Sequence, residues 1–361
     1  MKTDFLNKKI AIVCDWIKDM AEVVLAQLLE IFPEADIFTS IFFQKNPIFD
    51  KKIITSSIQN IPLLNKSHKL ALTLRPKAFE RFDFSGYDIV ISSTTAESKI
   101  ITKPETLFIC YCHTPTRYFW SHYHEYINMM EFILNPIGKW FMPRLVHNLR
   151  KWDFLAAQRP DYFLANSKNT KNRIKKYYNR EAEVVYPIDT EKFIFSSEKK
   201  DFYLYVRCIP YKKFDLIVDA FNKNKKIVII TNTDNKLFRN LKNISKENIS
   251  WKLNISFEEI KKYYSEAKAF LFPPEEDFLV PIEAMASTPV IAFKALETVV
   301  NSETVFFSEQ TVESLNEAIE RFEKLSFDYD KIKKHSEKFD KKYFKQNILE
   351  FIEKKIIKRR G

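Results

Sequence analysis

Strand-like and helix-like segments alternate twice along this chain, and that double βα rhythm commits it to a parallel α/β architecture. In the first half, short apolar runs read as buried strands at Lys9–Cys14, Asp36–Ser40, Tyr87–Ser92, Thr106–Cys112, Asp161–Ala165 and Ala182–Tyr186. Helical periodicity falls between them, near Met20–Ile31, through about Leu155, and up to Tyr178. The second half repeats the rhythm with strands Phe202–Val206, Lys226–Thr231, Ile249–Leu253, Ala269–Phe272 and Pro289–Phe293. Its helices are Lys213–Asn222, Lys236–Leu241, Ser256–Ala267, Val280–Ala286 and Thr311–Leu325. The two series join around Pro187–Lys200. This predicts two Rossmann-like doubly wound domains, residues 1–187 and 188–340, facing one another across a cleft, with a final helix within 341–361.

Length and composition fit that division. The 361 residues are enough for two cores, and 45% apolar residues exclude a disordered chain. No window holds about 18 uninterrupted apolar residues, so no spanning helix is expected. Met1–Phe5 runs into a strand without a signal-peptide core. Cys14, Cys110, Cys112 and Cys208 lie in or beside apolar strands without metal or redox spacing, so reduced core thiols are expected. A net charge of +11 implies an anionic partner, though no nucleic-acid-binding module is present. Cations concentrate in the tail Lys354–Arg360 and in Phe132–Trp152, where they mix with Trp140, Phe141, Met142 and Leu145. That mixture suits either a membrane headgroup region or a packed helix with snorkelling side chains.

Chemistry-bearing residues cluster after particular strands. After Ala269–Phe272 comes Pro273-Pro274-Glu275-Glu276-Asp277-Phe278, and then Glu283 on the next helix. Acidic groups at the carboxyl end of a parallel strand can take paired sugar hydroxyls, or simply complement a helix dipole. After Tyr203–Val206, Arg207 and Lys212 occupy a strand-to-helix loop, a natural diphosphate site. In the first half, Asp15 and Trp16 end the first strand and are candidate acceptor-binding residues, joined by Arg117 and Tyr118. His113 follows the Thr106–Cys112 strand, where a structural hydrogen bond is the plain alternative to function. Ser167, in Asn166-Ser167-Lys168, reads as a helix cap.

Taken together, Tyr203–Asp215 and Pro273–Ser287 resemble the nucleotide-sugar half of the retaining GT-B glycosyltransferases of family 4. Tyr111–Trp120 and Ala165–Thr170 extend the resemblance to a subgroup of mannosyltransferases of surface-polysaccharide assembly. The resemblance implies that Arg207 and Lys212 hold the donor diphosphate, while two glutamates eight residues apart hold the sugar and the ribose. Phe278 shares the donor loop, and His113 contacts the donor sugar. It further implies GDP-mannose as donor, a glycan or lipid-linked glycan as acceptor, no metal or other cofactor, and a final helix packed on the first domain. The expected location is the cytoplasm or the inner face of the cytoplasmic membrane. Epimerases and phosphorylases of the same fold are the alternatives.

The chain departs from that family in one respect. It has 3 Gly, where an ordinary composition of about 7% would give roughly 25. At Lys99–Ile100, Pro187–Ile188, Val206–Arg207, Leu253–Asn254, Phe278–Leu279 and Ser287–Thr288 the family carries a glycine and this chain is one residue shorter. The loop at Met20-Ala21-Glu22 is short in the same way. Uniform loss is expected if one glycine codon, a stop in the standard table, is passed over between gene and chain. The alternative is a decayed, inactive paralogue that binds nucleotide sugar without turnover. Restoring a residue after Phe278 makes Glu276, not Glu275, the partner of Glu283.

Overall fold

The computed structural model describes residues 7–17, 23–43, 53–62, 64, 71–206, 213–222, 225–232, 234, 236–274, 279–293 and 304–360, with the side chains of 125–141 and 360 excepted. The chain divides into two compact units, Met1–Pro187 with Phe344–Gly361, and Ile188–Tyr343.

The first unit is built on a seven-stranded parallel sheet. Its elements are β1 (Ile10–Cys14), α1 (Val23–Ile31), β2 (Asp36–Thr39), β3 (Ile53–Thr55), α2 (Arg75–Glu80), β4 (Ile89–Thr94), β5 (Leu107–Cys112), α3 (Tyr123–Ala156), β6 (Tyr162–Ala165), α4 (Lys168–Tyr178) and β7 (Ala182–Val184). The strand order is β3-β2-β1-β4-β5-β6-β7. Strands β1, β4 and β5 are buried along their whole length. Both sheet faces are covered, which is why these strands read as continuous apolar runs rather than alternating ones. Helix α4 starts where Ser167 Oγ accepts from Thr170 N, and it ends at Asn179 in the left-handed region. The cap expected of Ser167 is therefore in place.

The second unit contains β8 (Tyr203–Val206), α5 (Phe214–Phe221), β9 (Ile227–Thr231), α6 (Lys236–Ile244), β10 (Ile249–Leu253), α7 (Phe257–Glu266), β11 (Ala269–Phe272), α8 (Val280–Met285), β12 (Val290–Phe293), β13 (Thr304–Phe307), α9 (Val312–Glu323) and α10 (Tyr329–Glu337). Its parallel sheet runs β10-β9-β8-β11-β12-β13. Ser256 and Glu259 close a reciprocal capping box at the start of α7. The last helix, α11 (Lys341–Arg360), places Phe344, Ile348, Phe351 and Ile352 in the core of the first unit, beside Tyr111 and Leu164. Two cations of the basic tail are tied to the first unit: Lys355 pairs with Glu183 at 3.1 Å and Arg359 with Asp161 at 2.6 Å.

Two strands, β3 and β13, escape the sequence reading. Both are sheet edges, and β3 has only three residues, too few to show a period. Cys14, Cys110 and Cys112 are buried free thiols, as expected, while Cys208 lies outside the described residues.

Candidate functional site

In each sheet the strand order reverses direction at one point, between β1 and β4 in the first unit and between β8 and β11 in the second. Crevices at the carboxyl ends of such strand pairs are where open α/β sheets bind ligands. The sequence-derived site residues follow these strands. Asp15 and Trp16 leave β1, His113 leaves β5 beside β4, and Arg117 and Tyr118 come four and five residues later.

Asp15 is buried and faces inward. Its carboxylate accepts from Thr94 Oγ1 (3.0 Å), Thr95 N (2.6 Å) and Ser98 N (2.8 Å). These donors occupy the carboxylate, so Asp15 orders the loop after β4 and is not presented to a ligand. Trp16 is half-buried, with the Arg75 guanidinium 4.9 Å from its ring centre. Tyr118 donates its hydroxyl to Glu97 Oε1 at 2.6 Å. Of the four acceptor candidates, Asp15 and Tyr118 are thus tied into the unit's own hydrogen bonding.

His113 is held by two hydrogen bonds at the end of β5. Its Nε2 lies 2.8 Å from Ser93 Oγ, and its carbonyl accepts from Thr170 Oγ1 at 2.9 Å. Burial lowers its pKa to about 4, against the pull of Asp15, with nearby Arg117 adding to the drop. At neutral pH the imidazole is uncharged, so it serves as a hydrogen-bonding group and not as a cation.

Beneath this edge lies a buried polar network that sequence reading missed. Arg75 and Glu97, 1% and 0% exposed, form an ion pair at 3.0 Å. Lys99 and Asp153, equally buried, pair at 2.8 Å. Asp153 also accepts from Thr116 Oγ1 (3.1 Å), Trp120 Nε1 (2.7 Å) and Tyr178 Oη (2.8 Å). Such a hub fixes the 114–120 loop onto α3 and α4. Its members are scattered from position 75 to 178, so no local motif announces it.

In the second unit, β8 and β11 are parallel neighbours, with Phe270 opposite Leu204. Glu283 lies in the first turn of α8, half-buried, just beyond β11. Arg207, Lys212, Glu275, Glu276 and Phe278 lie outside the described residues. The strands they follow, β8 and β11, are adjacent.

Two parallel doubly wound units of this kind define the GT-B class. Solved structures bear this out: a glycosyltransferase from Rickettsia africae superposes with a TM-score of 0.58 at 15% identity, covering 98% of this chain and 99% of that one. WaaG, a glycosyltransferase involved in lipopolysaccharide biosynthesis, gives 0.57 at 11% identity, covering 95% and 99%. The chain therefore has the GT-B fold, and its residues 187–342 match the family model of glycosyl transferases group 1. The O-antigen chain mannosyltransferase RfbU of Salmonella typhimurium is 27% identical over 215 residues, which span 54% of this chain and 60% of that protein.

Proposed function

We propose that this protein transfers a hexose, most specifically mannose from GDP-mannose, with retention onto a glycan or lipid-linked glycan acceptor in cell-surface polysaccharide synthesis. The observation that carries the reading is the group 1 glycosyltransferase match over residues 187–342, which spans Arg207, Lys212, Glu276 and Glu283. The mannosyltransferase relative supports the choice of sugar. Charge that develops as the donor breaks sits on the departing diphosphate, where Arg207 and Lys212 would neutralise it. The acceptor hydroxyl would attack on the face the diphosphate leaves, passing its proton to a phosphate oxygen. Glu276 would orient the sugar, Glu283 the ribose, and neutral His113 a sugar hydroxyl. Nothing in this scheme is routed through a metal. The reading places the protein in the cytoplasm or on the inner face of its membrane. Among the described residues no helix is long and apolar enough to cross a membrane.

The test uses labelled GDP-mannose and a lipid-linked glycan extract. Label should move to the extract in the presence of a chelator, and nuclear magnetic resonance should show the donor's anomeric configuration kept. Lys212→Ala should lower turnover by about two to three orders of magnitude. Abolition by the chelator, reversed by manganese, would overturn the metal-free scheme, and release of isomeric sugar nucleotide would indicate an epimerase. A second reading, a non-catalytic nucleotide-sugar binder, is favoured by the shortened loops at Val206–Arg207 and Phe278–Leu279. Donor binding without transfer or hydrolysis would establish it.

A further inference from the structure

The longest helical segment of the chain does not run straight. A straight helix would hold Tyr123 and Arg150 about 40 Å apart, yet the Arg150 guanidinium carbon lies 5.1 Å from the Tyr123 ring centre. Helix α3 therefore folds back on itself. Its return arm buries Met142, Val146 and Leu149 against Phe119, with Tyr123 alongside. Pro143, His147 and Arg150 recur at helical spacing and share another face of that arm. Between this face and the 119–124 stretch lies a cavity of about 480 Å³, within the range of small-molecule sites.

The cavity has a fixed cation and apolar walls. Arg150 Nε donates to Phe119 O at 2.7 Å, and its guanidinium carbon lies 5.4 Å from the Trp120 ring centre. These contacts hold the side chain in one orientation. Among the described residues, its two terminal nitrogens have no hydrogen-bond partner, and neither do the imidazoles of His124 and His147, which also line the cavity. Trp120 Nε1 is committed to Asp153 at 2.7 Å, so Trp120 offers the cavity only hydrocarbon. A pre-oriented guanidinium fork flanked by two imidazoles matches the geometry and charge of phosphoryl oxygens. Aromatic carbon and Pro143 match the C–H surface of a sugar ring.

We propose that this cavity is a binding site for a phosphorylated saccharide, with Arg150 clamping the phosphoryl group and the aromatic wall packing against the ring. The assignment does not depend on the transfer reaction of the second unit. Isothermal titration of the full chain with mannose 1-phosphate and mannose 6-phosphate tests it, with GDP present to occupy any donor site. Saturable binding of at least one ester is expected, weakened about tenfold by His147→Ala and by Arg150→Lys, which keeps the charge but loses the fork. Free mannose and inorganic phosphate should each bind about tenfold more weakly than the ester. His147 is exposed, so its variant tests the site without endangering the fold. Absence of saturable binding, equal affinity in both variants, or inorganic phosphate matching the ester would overturn the proposal.

Discussion

His113 stands where a change of charge would alter the candidate site, and its surroundings oppose that change. Burial keeps the imidazole neutral, with its pKa lowered to about 4 from 6.5. If the neutral ring is the active form, kcat/KM should stay flat as pH falls through 6.5 and decline only near pH 4. Linkage has the same sign: between 6.5 and 4 the unfolded chain takes a proton that the folded one refuses, so stability falls as pH falls through that window. An acid limb at pH 6.5 that disappears in His113→Asn would show an ordinary, ionising imidazole. Arg75 and Glu97 give a second residue-scale prediction. Arg75→Met leaves Glu97 buried without its partner and should cost about 3–5 kcal/mol in urea unfolding, whereas Arg75→Met with Glu97→Leu should cost far less. Burial pushes Glu97 up to about 7 despite Arg75. The single variant should therefore be less impaired at pH 5, where Glu97 is protonated, than at pH 8. A double variant as unstable as the single one would refute this account.

At the scale of elements, left-handed backbone falls beside one of the junctions where a glycine is expected. Asn254, immediately after one of the shortened junctions, adopts φ 53°, and Lys213 at the start of α5 adopts φ 55°. Left-handed backbone is glycine's usual province, and asparagine tolerates it better than lysine does. The turn after β10 takes a left-handed residue, and Asn254 fills it. If a glycine codon has been passed over, the coding DNA at all six junctions should carry one identical in-frame triplet that a standard table calls a stop. Flanking codons found directly adjacent would sink that idea and favour the inactive reading. Helix caps and central strands were legible because they are local: Ser167, Ser256 and the apolar runs of β1, β4 and β5 each announce themselves within a few residues.

At the scale of the molecule, α11 joins chain ends that are far apart in sequence. Phe344, Ile348, Phe351 and Ile352 are all 5% exposed or less in the first unit's core. Each such side chain contributes about 1.5–3 kcal/mol by burial. Deleting Phe344–Gly361 should therefore destabilise the first unit by roughly 6 kcal/mol or more, seen as a lowered thermal transition and rapid proteolysis within residues 1–187. A first unit equally stable without the segment would contradict its place in the core. The sequence by itself determined the double βα rhythm and marked Arg207, Lys212, Glu276, Glu283 and His113 as residues that come soon after strands, because buried parallel strands and the turns that end them are written in contiguous residues. Only the tertiary structure decided that β1 lies beside β4 and β8 beside β11, since crossover connections, not local periods, set strand order. It alone turned Asp15 inward and gathered Arg75, Glu97, Lys99 and Asp153 into one buried network, because each charge found its partner across the fold and not along the chain.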